Sequence, residues 1–384
     1  MSCGAGADAG MRVLVVTVVH NPADARIWHR QIAALRTAGH QVTYAAPFTA
    51  FGQQRPAGVA TRDLPRASGR HRLAAVAAAA GLLRREGPAH DVVLLHDPEL
   101  LAAAWGVPAR PVGAAGGPGG PPVVVWDVHE DTAAAMSMKQ WIARPLRDPA
   151  AAVFGRVERS AGGHFRLLLA EHRYGERFGA AHPVVPNSTW IPETVAAPGD
   201  DRVVYLGTLT RARGAFELVE LGRALRGTGL SLHLVGPAAQ ADVAAALTEA
   251  DRAGEVTWHG FVPNDRALDL LSGAMAGLSL LRDEANYRHS QPTKVIEYMA
   301  RGLAVVTTPT SLAAAVVQDA DCGVVVPYQD PAAAAAVLLQ LTGDPVRVAQ
   351  MAANGRAAAR RDFNWDLDGP AFVRVLQGWV RGSA

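Results

Sequence analysis

Apolar residues along the chain fall into short β-branched or Leu-rich runs, separated by longer stretches in which apolar positions recur every three or four residues. The run 11–19 opens the pattern; it is too short to cross a membrane and suits a buried parallel strand. A helix over 27–38 follows, stopped by Gly39. Next come a strand over 42–46, an Ala-rich helix over 72–85, and strands over 91–95 and 123–127. Between the last two, residues 111–122 carry five Gly and four Pro and read as a surface loop. The stretch 173–187 closes this series with Val184-Val185-Pro186-Asn187-Ser188, and 190–200 reads as a linker.

A second alternating series predicts strands over 202–206, 231–235, 256–258, 276–281, 304–307 and 323–326, with helices over 215–226, 241–253 and 265–272. Strands that alternate with helices imply a parallel sheet covered on both faces. The expected fold class is therefore α/β, with two doubly wound, Rossmann-like domains over 11–189 and 200–365 facing across a cleft.

Composition supports that division. At 384 residues the chain is too long for one core of ordinary size, and with 49% apolar residues both cores are easily filled. Its 37 basic and 35 acidic side chains leave a net charge of +2, so no global field attracts nucleic acid. Cys3 and Cys322 stand far apart, which excludes a disulfide framework or a zinc cluster and fits a reducing cytoplasm. Residues 1–10 lack a charged start and an apolar centre, and nowhere do ~18–20 apolar residues run uninterrupted. The expectation is a soluble, cytoplasmic protein.

The densest chemistry lies in Ser290-Gln291-Pro292-Thr293-Lys294-Val295-Ile296-Glu297-Tyr298-Met299-Ala300-Arg301-Gly302, followed directly by an apolar run. Ser290 or Gln291 suits a helix cap, Pro292 a first turn, and Gly302 the turn from helix end into a strand. Unpaired amides around Thr293, at the positive end of the helix, suit a phosphate. Glu297 lies one turn on along the same face, about 5–6 Å further, the reach from a diphosphate to its ribose. Lys294 adds positive charge near the phosphates.

These residues resemble the donor site of GT-B glycosyltransferases, in particular the retaining glycosyltransferase family 4, and the resemblance runs from about Met11 to Trp379. In that family the second Glu of an E-x7-E pattern binds the donor ribose, and Glu297 matches it. His289 stands where the first Glu belongs, a departure at the contact to the donor sugar. The segment from Phe363 to Trp379 resembles the family's final helix, which implies that about 366–384 packs back on the first domain.

Other positions fit the same reading. Gly207-Thr208-Leu209-Thr210-Arg211-Ala212-Arg213-Gly214 follows the first strand of the second series, where open α/β sheets bind ligands. The family pattern is Gly-Arg-x5-Gly with Lys before the last Gly; Arg213 matches the Lys position, Thr208 replaces the Arg, and Arg211 offers charge in its place. In Trp258-His259-Gly260-Phe261-Val262, Phe261 and Val262 are candidates to cover the base, while core packing explains Trp258 equally well. His129, in Trp126-Asp127-Val128-His129-Glu130, matches a family histidine that contacts the sugar hydroxyls; a structural histidine is the plainer alternative. His96, Asp97 and Glu99 in His96-Asp97-Pro98-Glu99-Leu100, with Asp24 and Arg26 in the first loop, are candidate acceptor contacts. Asp97 with Pro98 also reads as a helix start, and Asp24 with Arg26 as a local ion pair.

Several signals carry nothing. The glycines between Gly4 and Gly10 precede the first strand, where a dinucleotide fingerprint must follow it. Asp319-Ala320-Asp321 and Asp366-Leu367-Asp368 do not end an early strand, as a metal-binding acidic pair would require. The resemblance implies transfer of a sugar from UDP or GDP to an acceptor with retention, without cofactor or metal, catalysed with His129, Arg213 and Lys294. Two basic stretches, Arg62, Arg66, Arg70, His71, Arg72 and Arg144, Arg147, Arg156, Arg159, Arg166, allow membrane contact. Near-neutral total charge favours a small soluble acceptor such as a natural-product intermediate over a lipid-linked polysaccharide. A nucleotide-sugar enzyme without transfer, or a silent nucleotide-binding protein of the same fold, are the rivals.

Overall fold

The structure is a computed structural model and describes residues 10–114, 120–129, 147–284, 287 and 293–382. The chain divides into two compact units, one comprising Met1–Pro186 and Leu367–Ala384, the other Asn187–Asp366.

The first unit holds strands β1 (Arg12–Val16), β2 (Gln41–Ala46), β3 (Ala60–Asp63), β4 (Val92–Leu95), β5 (Val123–Val128) and β6 (Arg166–Leu169). They form a sheet in the order β3-β2-β1-β4-β5-β6, parallel at every pairing, with Val13 beside Val42 on one side and Val92 on the other. Val16, Leu95 and Trp126 pack on one face against Ala75, Ala79 and Leu83 of the helix Arg72–Glu86. That helix buries Ala75, Ala79, Leu82 and Leu83.

The second unit repeats the plan with β7 (Arg202–Leu206), β8 (Ser231–Val235), β9 (Thr257–Gly260), β10 (Ala276–Ser279), β11 (Ala304–Thr307) and β12 (Gly323–Val325), in the order β12-β11-β10-β7-β8-β9. Val203 and Tyr205 point into the core against Leu218 and Leu221 of the helix Ala215–Ala224. Val204 and Val305 pack on the opposite face against Tyr298 and Met299 of the helix Thr293–Ala300. Both faces are dry, which is why these strands read as unbroken apolar runs rather than alternating ones. In each sheet the strand order reverses beside the first strand, at β1/β4 and at β7/β10, and such switch points leave a crevice at the carboxyl ends of the strands.

Some expectations shift. The run 11–19 yields a strand only over Arg12–Val16, because the amides of Val18 and Val19 turn to the Asp97 carboxylate. The helix expected over 27–38 starts as a π-turn at Ile27–Ile32 and becomes regular only at Ala33–Thr37. Strands β3 and β6 lie outside the expected set: β3 is a mostly exposed edge strand, and β6 is a short buried run at the opposite edge. The final helix spans Trp365–Arg381, with Arg110 donating to the carbonyl of Val380 within the first unit.

Candidate functional site

The carboxyl end of β7 in the second unit is shaped by backbone contact. A Cβ on Gly236 would meet the carbonyl oxygen of Gly207 at 2.0 Å, so the loops after β7 and β8 touch main chain to main chain. Gly214 closes the loop with a left-handed φ of 79°, and the Thr210 hydroxyl accepts from the Arg213 amide.

Three side chains converge on this loop. Lys294, in the first turn of the helix Thr293–Ala300, lays its Nζ 3.7 Å from the centroid of the Tyr205 ring. A Cβ added to Gly207 would stand 3.8 Å from that Nζ, so the amine borders the glycine directly. The Arg213 guanidinium donates to the Thr208 carbonyl at 3.5 Å, as does the Tyr205 hydroxyl at 3.1 Å. Burial, and secondarily the Arg213 charge, push the Lys294 amine well below the usual lysine range.

The remaining donor-site candidates separate. Arg211 has partners of its own: its guanidinium pairs with Asp242 at the surface and lies over the Phe216 ring. The helix Ala241–Arg252 brings that acid beside Arg211, a partner the sequence alone does not reveal. Thr293 is exposed at the helix start. Glu297 is buried, and its Oε2 accepts from Thr189 at 2.6 Å and Arg301 at 2.7 Å, partners that sequence reading did not supply. Phe261 is 51% exposed just past β9, with Val262 half-buried beside it. Trp258 belongs to the frame, its indole donating to the Gly236 carbonyl. His289 lies outside the described residues, as do Glu130, Arg144, Ser290, Gln291 and Pro292.

In the first unit the candidates gather around a residue the sequence reading did not select, Asp127, at the end of β5. Its carboxylate accepts from Arg26 Nε and Nη2 and from Gln31, and lies 3.2 Å from His96 Nδ1 and 3.5 Å from His129 Nδ1. Burial alone would raise its pKa. The Arg26 charge and these hydrogen bonds outweigh that effect and hold the carboxyl well below the usual range. His96 is fully buried, and burial, opposed by Asp127, lowers its pKa and keeps the ring neutral.

His129 spans the rim. Its Nδ1 bonds to the Asp127 carbonyl at 3.0 Å, and its Nε2 meets His20 Nε2 at 3.0 Å. A ring nitrogen facing a carbonyl must carry the proton, so His129 Nε2 is the acceptor in its neutral form and His20 the donor. His20 Nε2 also stands 3.3 Å from Asp97.

The expected acceptor contacts have structural partners of their own. Asp97 is completely buried, and its carboxylate accepts from Thr17 and from the amides of Val18 and Val19, fixing the loop after β1. Arg26 pairs with Asp127 rather than Asp24. Asp24 instead accepts from the amides of Arg26 and Ile27 and anchors the π-turn; burial raises its pKa, and His20 with those amides brings it below the ordinary value. Glu99 holds Arg72 at 2.9 Å. His20, His96, Pro98, Trp126, Asp127, Val128 and His129 line a small pocket within this unit. The ligating atoms of His96, Asp127 and His129 lie within 4.8 Å of one another, but Arg26 occupies both Asp127 oxygens, so a metal ion there would face a guanidinium already in place.

Residues 200–344, which contain the Gly207 loop, Arg213, Lys294 and Glu297, match the family described as Glycosyl transferases group 1. The chain carries a glycosyltransferase domain. No curated protein matches it by sequence. Among solved structures, sucrose-phosphate synthase from Thermosynechococcus elongatus is similar with a TM-score of 0.72 at 17% identity, covering 96% of this chain and 99% of its own. HepE from Anabaena, solved in complex with UDP and glucose, gives 0.68 at 13% identity over 96% and 100%. WaaG, a glycosyltransferase involved in lipopolysaccharide biosynthesis, gives 0.67 at 14% over 94% and 98%. At these identities the likeness is one of fold, the two-domain GT-B architecture. The domain over 200–344 makes the protein a glycosyltransferase.

Proposed function

We propose that this glycosyltransferase moves a sugar from a nucleoside-diphosphate sugar, carried on UDP or GDP, to the hydroxyl of a small soluble acceptor such as a natural-product intermediate, with retention at the anomeric carbon. The observation that carries the reading is the amine of Lys294, buried against Gly207 and beside Arg213 at the end of β7, in a loop whose glycines leave room for phosphate oxygens. HepE, with UDP and glucose bound on the same fold, supports a nucleotide sugar as the donor class. The near-balance of 37 basic and 35 acidic residues supports an acceptor that is not held on an anionic surface.

In this reading the bond from the anomeric carbon to the diphosphate breaks and its electron pair leaves with the diphosphate. The acceptor oxygen bonds to that carbon, and its proton passes to a diphosphate oxygen. Negative charge grows on the leaving group, so cations fixed beside it lower the barrier. Lys294 and Arg213 supply that charge where other enzymes use a metal ion, and no cofactor enters the step. Thr293 offers its exposed helix-start position to the phosphates, Phe261 and Val262 cover the base, and Glu297 takes the ribose while sharing its carboxylate with Thr189 and Arg301. In the first unit His129 and the small pocket beside it offer polar contacts for a sugar or acceptor hydroxyl.

The test is a panel of UDP- and GDP-sugars scored by thermal shift, followed by nucleotide release with and without candidate acceptors. Release that depends on the acceptor supports transfer. Release without acceptor favours a nucleotide-sugar enzyme of another kind, and binding without any release favours a silent binding protein.

A further inference from the structure

Lys294 is 9% exposed, and its Nζ has no hydrogen-bond partner among the described residues. An unpaired buried ammonium is among the costliest groups a protein can hold, and the usual outcome is loss of its proton. Burial and the neighbouring charge favour that outcome, and the one contact that opposes it is the face of the Tyr205 ring, 3.7 Å from the amine. From the loop after β7, Arg213 faces it with charge of the same sign. From β7, Tyr205 offers the face of a ring whose phenol burial pushes well up, so no phenolate balances the amine. Tyr287 acts on that same phenol in the same upward direction. On the lysine's own helix, the Tyr298 hydroxyl donates to the Leu278 carbonyl and accepts from the Leu206 amide, while Glu297 gives its Oε2 to Thr189 and Arg301. A Cβ on Gly207 would stand 3.8 Å from the amine, so the glycine leaves main chain beside it.

We propose that Lys294 stands as a neutral amine in the empty site and takes up one proton as the donor diphosphate arrives, so that donor binding is coupled to pH. The inference rests on the nucleotide-sugar reading and adds the regulation of that site. Each phosphate of a nucleotide sugar is a diester with no proton to lose or gain near neutrality, so a proton taken up on binding comes to the protein. The ligand's negative charge offsets the Arg213 repulsion and gives the ammonium the partner it lacks. The sign follows from linkage: the amine's pKa is lower in the free site than in the complex. Between those two values binding consumes a proton, and affinity falls as pH rises by up to about tenfold per unit.

The experiment is calorimetric titration of the intact protein with the best-binding sugar of the UDP-glucose and GDP-mannose pair, in buffers of different ionisation enthalpy across about pH 7–9. For wild type the expected result is net uptake approaching one proton, with Kd weakening toward alkaline pH. Lys294→Arg carries a charge that does not titrate in this range, so it should bind with that uptake removed. Lys294→Met should bind weakly at every pH and lose the alkaline dependence. Equal proton numbers in wild type and Lys294→Arg would overturn the inference while leaving the donor site in place. A flat wild-type Kd across the range would do so without any variant. Failure of wild type to bind either sugar would instead bring down the nucleotide-sugar reading, and the inference with it.

Discussion

The Arg26 guanidinium clasps the Asp127 carboxylate through two hydrogen bonds, Nε to Oδ2 at 2.7 Å and Nη2 to Oδ1 at 2.6 Å, across 101 residues of sequence. The same arginine donates to the Val185 carbonyl at 3.0 Å. One side chain thus ties the first loop to the end of β5 and to the segment that closes the first unit.

Removing one partner of such a pair strands the other. Arg26→Met should lower stability by about 3–5 kcal/mol, read as a shift of the urea midpoint. The Asp127 pKa is depressed in the folded state, so its contribution is complete above the unfolded carboxyl value of about 3.9 and is lost as pH falls through the folded value. Wild type should therefore shed more stability below about pH 4 than Arg26→Met does. Identical acid limbs for the two proteins would refute this account of Asp127.

Gly236→Ala places a methyl group 2.0 Å from the Gly207 carbonyl oxygen at a residue with φ of +147°. Main chain cannot move aside as a flexible side chain does, so a loss of roughly 1–3 kcal/mol and weaker donor binding are expected together. Gly163→Ala, where a Cβ meets nothing within 4 Å, is the control and should leave donor binding unchanged.

Arg213→Ala should reduce kcat by roughly a hundredfold while binding of the free nucleoside stays within twofold or so, because charge growing on the diphosphate is what it stabilises. Steady-state kinetics beside nucleoside titration separates the two effects. A variant with wild-type kcat would remove Arg213 from the leaving-group site.

Glu297→Ala should weaken donor binding by about 1.5–3 kcal/mol, the worth of hydrogen bonds to a charged group. It should also lower the melting temperature, since Arg301 and Thr189 lose their shared acceptor. Glu297→Gln keeps an acceptor oxygen and should recover most of the stability but less of the affinity. Unchanged donor Kd in both variants would leave Glu297 a purely structural group.

His129→Ala should lower turnover with a nucleotide sugar while affinity for free UDP or GDP hardly changes, because the sugar and not the nucleotide is its proposed partner. Collapse of nucleotide affinity would mean that the ring serves only as a bridge between His20 and the Asp127 carbonyl.

The alternation of apolar runs and helical periods was enough to place most strands of both sheets, because a strand buried on both faces must be apolar at every position. It also picked out Gly207, Arg213 and Lys294, which sit at strand and helix ends that local pattern reveals and which the fold brings together. Strand β3 stayed hidden, because an edge strand needs no apolar face. The partners of charged groups were equally hidden. Arg211 and Arg213 look alike in sequence, yet one pairs with Asp242 at the surface and the other lies beside Lys294. Asp97 reads as a helix start and becomes the clamp of the β1 loop. Asp127 drew no notice beside His129 until Arg26, Gln31 and His96 closed around it. Periodicity is a property of neighbours along the chain, so the sequence determines it. Pairing of charges depends on which strand ends the sheet order brings together, and only the tertiary structure decides that.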